Sequence, residues 1–401
     1  MLNVVAPFGF YGAGNIGDEA TLQGFARLVS RCPHRLRVWV GSRNPYHTSK
    51  IEPSFRYFQP QRRDWRLWWV EKRASAVVFA GGTPIMDGLG DWPLCEVAPL
   101  TEDAYRGGKP VAFVGIGTEG LERQQSRRIV REQLGRWVRQ WTVRSLRDQE
   151  RLTEYGVPPE RIHVAADMAW LLDPVSADWG RRQLEAWGVA SQPRLIGVNL
   201  LGEKNVLARE PRLFEKLAEF LDVLVEAHDL FVLFLANEVR AGETFDTTAA
   251  QWTRAAMKRQ QQTFIAPNEY LAPQQMLSLI ANCHATISMR YHFCLFSALQ
   301  GVPFFALQRS DKVADLCFDL DWAFGVGLRN LQVASAIALF DAFEQLRSAA
   351  IDRLNTQLAV LRNRAYTNLI SFESLLTSTH RKSVKSRPGS IREFAPPPVI
   401  R

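Results

Sequence analysis

An arginine and a histidine two residues apart stand in Ser288-Met289-Arg290-Tyr291-His292, where a hydrophobic run gives way to a helical pattern. Arg290 offers a planar fork for an anion, and His292 a group that changes charge near neutral pH. Lys312, in Ser310-Asp311-Lys312-Val313, follows the next hydrophobic run and falls on the same side. Ligands of open α/β sheets bind beyond the carboxyl ends of the strands, so the three groups together read as an anion site with a proton donor. Arg144 closes another run, Trp141–Val143, and Asp167 follows Ile162–Ala165, which puts both at the same kind of edge. Arg147 and Asp148 read as an ordinary helical surface.

The stretch Gly9–Ala20 carries the opposite charge. Gly12, Gly14 and Gly17 satisfy the spacing of a dinucleotide-binding turn between a strand and a helix. Two features count against a dinucleotide. The second strand ends in Gly41-Ser42-Arg43, with no acid for a ribose, and Asp18 and Glu19 fill the first helical turn, where a pyrophosphate would sit. Carboxylates suit that end of the helix dipole themselves, so a capping role for Asp18 stays open beside a chemical one. Gly81-Gly82-Thr83 and Gly115-Ile116-Gly117 follow two further strand-like runs; they bring backbone close to a ligand or make tight turns. Asn237 and Glu238, after Phe231–Ala236, are the residues a nucleotide-sugar site would have to use.

Elements that could hold these groups alternate along the chain. Leu2–Pro7, Leu36–Val40, Ala76–Ala80, Val111–Gly115 and Trp141–Val143 read as strands buried on both faces, with helical patterns such as Asp18–Arg31 and Glu122–Arg139 between them. The alternation restarts with Arg194–Leu200, Phe231–Ala236, Thr263–Ala266, Ala285–Ser288 and Pro303–Leu307. The expected fold class is α/β: two Rossmann-like doubly wound domains, residues 1–175 and 190–330, facing a cleft. A closing helical segment, 331–376, and a disordered basic tail, 377–401, follow.

The 401 residues, 46% hydrophobic and 22% charged, are globular in composition. Five cysteines lack CxxC or zinc spacing, so no metal is expected. The amino-terminal residues lack a basic leader and no apolar run approaches membrane-spanning length, which points to the cytoplasm. The net charge of +8 raises the question of an anionic partner. Six basic residues of the tail, Arg381, Lys382, Lys385, Arg387, Arg392 and Arg401, stand against Glu393 alone, so most of the surplus belongs to a segment that can reach an anionic membrane face. No nucleic-acid motif accompanies the basic residues. Asp64-Trp65-Arg66-Leu67-Trp68-Trp69 suits a lipid headgroup interface or a helix packing its tryptophans inward.

Taken in order, the motifs resemble the polysaccharide pyruvyl transferases. Gly14-Asn15-Ile16-Gly17-Asp18-Glu19-Ala20 is similar to that family's opening signature, and Ala80-Gly81-Gly82-Thr83-Pro84-Ile85-Met86-Asp87 to its triple-glycine segment, with Ala80 at the first glycine. Val143-Arg144, Ala166-Asp167-Met168-Ala169, Arg290-Tyr291-His292 and Asp311-Lys312 match further elements, with departures at Ser145 and Met168. The resemblance implies a glycosyltransferase-B-like (GT-B-like) domain pair that moves pyruvate from phosphoenolpyruvate onto a sugar of an exopolysaccharide or cell-wall glycan precursor. It implies no cofactor beyond that donor. In this reading Arg144, Arg290 and Lys312 bind phosphoenolpyruvate, His292 is the acid and Asp18 the base. Gly14, Gly17, Gly81, Gly82 and Gly117 supply cleft backbone, and Asn15, Asp167, Asn237 and Glu238 are acceptor contacts. The acceptor is lipid-linked or nucleotide-linked, and a lipid-linked acceptor implies peripheral membrane contact. The alternatives are a nucleotide-sugar glycosyltransferase on the same architecture and a non-catalytic ligand-binding relative.

Overall fold

Uninterrupted runs of Val, Ala and Phe leave no face for water, and they fold as central strands. The computed structural model describes residues 1–60, 72–192, 194–202, 207–208, 210–240 and 245–385, the last nine as backbone. β1 (Leu2–Ala6), β2 (Leu36–Gly41), β3 (Arg56–Phe58), β4 (Ala76–Ala80), β5 (Val111–Ile116), β6 (Val138–Val143) and β7 (Ile162–Val164) form one parallel sheet in the order β3-β2-β1-β4-β5-β6-β7. β4 and β5 are buried along their whole length. A second parallel sheet repeats the plan: β8 (Leu195–Asn199), β9 (Phe231–Phe234), β10 (Thr263–Ile265), β11 (Ala285–Ser288), β12 (Phe304–Gln308) and β13 (Gly325–Gly327), in the order β10-β9-β8-β11-β12-β13. The two doubly wound sheets expected from the alternation are present.

Strand order reverses between β1 and β4 in the first sheet and between β8 and β11 in the second. Loops on either side of such a point diverge and leave a crevice at the carboxyl ends. Asp18 follows β1, Gly81 and Gly82 follow β4, and Arg290 follows β11, so both crevices carry residues singled out above.

Three local differences from expectation have simple causes. β3 and β13 are three-residue edge strands whose Arg56 and paired glycines hide the pattern. The helical stretch after Glu122 ends at Trp137, because Val138 turns inward and joins β6 beside β5. It also contains a π-helical turn, Ile129–Leu134. Finally, the helix that begins at Arg347 runs to Lys385, past Thr377, where composition pointed to disorder. Elongating a docked helix costs little per residue, so loss of periodicity alone does not end it. Residues 386–401 and the Asp64–Trp69 stretch lie outside the described residues.

The carboxyl-terminal helices divide their work. Val333–Gln345 packs on the second sheet through Phe340 and Phe343, both against Phe305. Arg347–Lys385 crosses back to the first sheet, burying Leu354, Leu361, Ala365 and Phe372. Phe372 meets Phe25 edge-on, with ring centroids 5.6 Å apart. Phe372→Ala is expected to cost about 3–5 kcal/mol, the usual penalty for emptying an aromatic site in a core. A lowered denaturant midpoint checks it.

Candidate active site

Asn15 starts the first long helix, Ile16–Arg31, and its side-chain oxygen accepts from Gly17 N at 3.0 Å. The cap is therefore supplied by Asn15 and Asp18 is spared for another use. Asp18 lines a cavity of about 840 Å³ between the two sheets, and its carboxylate makes no hydrogen bond among the described residues. Burial pushes its pKa up from 3.8, nearby Glu238 and Asp167 add to the rise, and His292 and Lys312 oppose it.

His292 comes from the second sheet but is seated on the first. A Cβ at position 17 would lie 2.2 Å from its Nδ1, so only glycine there admits the ring. The imidazole Nε2 lies 3.2 Å from Thr21 Oγ1 and 3.5 Å from Asp167 Oδ2. Asp167 is fully buried and does not line the cavity. The expectation that it touches an acceptor is thus corrected. It accepts from Arg144 Nη1 at 3.0 Å and from Ala169 N at 2.9 Å, and orients Arg144 and His292 from behind. Burial raises its pKa, but hydrogen bonding and charge from His292, with the Arg144 charge, hold it well below the usual carboxylate range.

Arg144 lies across the Tyr291 ring, 4.6 Å from its centroid, and donates to Thr83 Oγ1 at 3.2 Å. Gly117 gives the guanidinium its room: a Cβ there would sit 1.9 Å from Nη2. Gly81 and Gly82 line the cavity, whereas Gly14, Gly17 and Gly117 stand behind it. Gly14 accepts from Val239 N at 2.7 Å, a contact that ties the two sheets' loops together where a pyrophosphate would have needed space.

The second sheet supplies further cations, and Arg290, Arg240 and Lys312 are each held by a carboxylate. Arg290 Nε lies 3.0 Å from Asp246 Oδ2, and its Nη1 lies 2.7 Å from Glu238 Oε2. Arg240 holds the other oxygen of Glu238. Asn237, which donates to Asn15 Oδ1 at 3.3 Å, and Glu238 do line the cavity, as does Asn15. Glu238, however, is committed to two arginines. Lys312 Nζ lies 2.9 Å from Glu119 Oε1 across the cleft. Burial raises the Glu119 pKa, but Lys312, Arg309 and Arg144 outweigh it and leave the carboxyl below its ordinary value.

Sequence reasoning missed three groups. Arg309, at the end of β12, lines the cavity beside Lys312, and the strand-end rule that found Lys312 would have found it. Asp246 is a buried hub that accepts from Asn199 Nδ2 at 3.0 Å, from Asn237 N at 2.9 Å and from Arg290; it is 44 residues from Arg290, and no local pattern announces it. Asp148 is the third, and its reading as helical surface is wrong. It is buried and accepts from Thr118 N at 2.6 Å and Ser145 Oγ at 2.8 Å, beneath the Arg144 loop. Arg147 lies 3.1 Å from Asp315 across the sheets.

Next to the cavity, Glu19 joins the halves by accepting from Gly12 N at 2.6 Å and from Tyr270 OH at 2.7 Å. Burial pushes its pKa from 4.5 to about 7, against those hydrogen bonds. A carboxyl raised on folding stabilises fully below its unfolded pKa, and that contribution is lost as pH rises through the folded value. The wild type should therefore lose about 3 kcal/mol between roughly pH 4.5 and 7 from this group. Glu19→Gln is expected to flatten that part of the stability–pH curve and to melt higher than wild type at pH 8.

Among the described residues no group of three His, Cys, Asp or Glu side chains could hold a metal ion, and no helix is long and apolar enough to cross a membrane. The sequence matches the family model described as "Polysaccharide pyruvyl transferase" over residues 15–311, a span that includes the side chains placed around the cavity above except Lys312, which follows it directly. The chain belongs to this family. It is accordingly a transferase. Its architecture is also that of GT-B-like nucleotide-sugar enzymes. The Anabaena protein HepE in complex with UDP-glucose superposes with a TM-score of 0.62 at 10% identity, covering 96% of this transferase and 99% of that chain. The UDP-GlcNAc 2-epimerase of Methanocaldococcus jannaschii gives 0.58 at 11%, covering 95% and 99%. MnaA of S. aureus with UDP gives 0.60 at 9%, covering 97% and 99%. At such identities the likeness is one of fold. Among curated protein sequences none matches.

Proposed function

We propose that this transferase moves the pyruvyl group of phosphoenolpyruvate onto two hydroxyls of a sugar, making a ketal and releasing phosphate. The observation that carries the reading is the opposition, in one cavity, of the unbonded Asp18 carboxylate and the His292 imidazole, with Arg144, Arg290, Arg309 and Lys312 around them. The donor carries a carboxylate and a phosphate, and fixed guanidinium and ammonium groups neutralise both without reorganising. The Lys312–Glu119 bridge is the contact that a bound phosphate would replace.

His292 gives a proton to C3 of the enol, which leaves an oxocarbenium-like C2. One sugar hydroxyl adds to C2 and yields its proton to Asp18. A second hydroxyl then closes the ring as the C2–O bond to phosphate breaks, its electron pair leaving with the phosphate. Over the whole reaction one hydroxyl proton ends on the new methyl group and the other on phosphate, so no outside acid or base is consumed. Burial raises the Asp18 pKa and so makes its carboxylate a stronger base than an ordinary aspartate, which suits it to take the hydroxyl proton.

The nucleotide-sugar reading calls for ribose contacts at Asn237 and Glu238, and the two arginines on Glu238 count against it. Phosphate release from phosphoenolpyruvate in the presence of a panel of sugars tests the proposal. Release that depends on a sugar supports it; no release with any sugar, beside turnover of a UDP-hexose, overturns it. The tail expected to reach a membrane face lies mainly in residues 386–401, outside the described structure.

A further inference from the structure

The cavity is far larger than a three-carbon donor needs, and its lining is mixed. The second sheet contributes Arg290, Arg309 and Lys312. Beside charged groups such as Asp87, Glu119 and Arg127, the first sheet's side contributes an apolar cluster of Phe8, Phe10, Met86, Leu89 and Trp92. These side chains come from the loops that follow β1 and β4; the first of these loops leads into the helix that carries Asp18, and the second carries Gly82. Phe8 and Trp92 lie with ring centroids 6.2 Å apart and tilted, and Phe10 meets Trp92 edge-on at 5.8 Å. Phe10 is itself packed against the guanidinium carbons of Arg43 and Arg240, each 4.8 Å from its centroid. Trp92 is half-buried, and neither of its ring contacts is a face-to-face stack. Leu89, beside it, is 52% exposed at the lip of the cavity.

We propose that the Trp92 shelf is the acceptor subsite and receives one C–H face of a pyranose ring. The inference rests on the proposed pyruvyl transfer and specifies where its second substrate lies. A pyranose has an apolar face of axial hydrogens and a rim of hydroxyls, the two surfaces that an aromatic wall and a neighbouring carboxylate complement. A ring stacked on Trp92 keeps its rim free for Asp18, which lines the same cavity and takes the first hydroxyl proton in the proposed reaction. The cationic side chains then remain for the donor. The shelf thereby fixes which hydroxyl pair meets C2.

Saturation-transfer NMR with methyl glucoside, galactoside and mannoside, alongside calorimetric titration of phosphoenolpyruvate, tests the shelf on wild type, Trp92→Ala and Trp92→Phe. The expected result is a hexoside signal concentrated on ring C–H protons in the wild type. It should weaken about fivefold to tenfold in Trp92→Ala and be largely kept in Trp92→Phe, with donor affinity within about twofold throughout. An unchanged signal in Trp92→Ala overturns the shelf, as does a wild type that binds phosphoenolpyruvate but none of the hexosides. An equal fall in donor affinity assigns the aromatic wall to the donor and also overturns it. Hexoside binding that depends on Trp92 in a protein with no affinity for phosphoenolpyruvate leaves the shelf standing and removes the pyruvyl-transfer reading. Retained signal in Trp92→Phe guards against a loss caused by misfolding.

Discussion

Asp18→Asn is expected to abolish most turnover and to raise the melting temperature at once. The carboxylate stands at the cavity wall with no hydrogen bond among the described residues, and burial raises its pKa. Removing a positioned general base typically costs roughly a hundredfold to ten-thousandfold in rate, here with the KM for phosphoenolpyruvate unchanged. Stability should move the other way. A carboxyl raised on folding contributes fully below its unfolded pKa and loses that contribution as pH climbs through the folded one, so the ionised form is the costly one at pH 7–8. Asparagine carries no such charge. Melting curves of the variant and the wild type should separate at pH 8 and converge near pH 4. A variant that loses rate and stability together would point to a structural role for Asp18.

The second large effect is expected at Asp167. Asp167→Asn keeps the shape but leaves the buried Arg144 guanidinium without its counter-charge, 3.0 Å away in the wild type. Breaking a buried pair from one side costs about 3–5 kcal/mol. Because the Asp167 pKa is held down in the fold, its contribution in the wild type is present above its unfolded pKa and lost as pH falls through the folded one. Loss of the pair should therefore lower stability across the whole neutral range, with no convergence until strongly acid pH. Activity should fall as well, through His292 and Arg144 as well as through stability. A shifted pH–rate profile in the folded variant at low temperature separates that positioning effect from unfolding, since destabilisation alone would leave the profile in place.

Much of this site was legible before any geometry. Strand ends could be found from runs such as Ala76–Ala80 and Ala285–Ser288, and the strand-end rule placed Arg144, Arg290, His292 and Lys312 on one cavity. What stayed hidden was pairing between distant parts of the chain. Asp167 was placed at the right edge, but its pairing with Arg144 and His292 depends on how two sheets stack, which no local pattern encodes. Asp246 and Asp148 were invisible for the same reason. Gly14 and Gly17 show the converse: the spacing of a nucleotide fingerprint was present, yet the space those glycines open is filled by Val239 and His292.

The helix Arg347–Lys385 bears on the order in which the molecule becomes competent. Arg362 Nη2 donates to Leu172 O at 2.6 Å, Arg364 Nη2 to Ala165 O at 2.9 Å, and Asn368 Nδ2 to Ala166 O at 2.9 Å. These three side chains clasp the loop that presents Asp167, although they are made almost two hundred residues after it. During synthesis the first domain can assemble its sheet while the loop of Asp167 still waits for this helix to emerge. A chain made only as far as the second sheet thus carries Asp18, Arg144 and His292 but not the clasp on the loop that sets Asp167 between the last two.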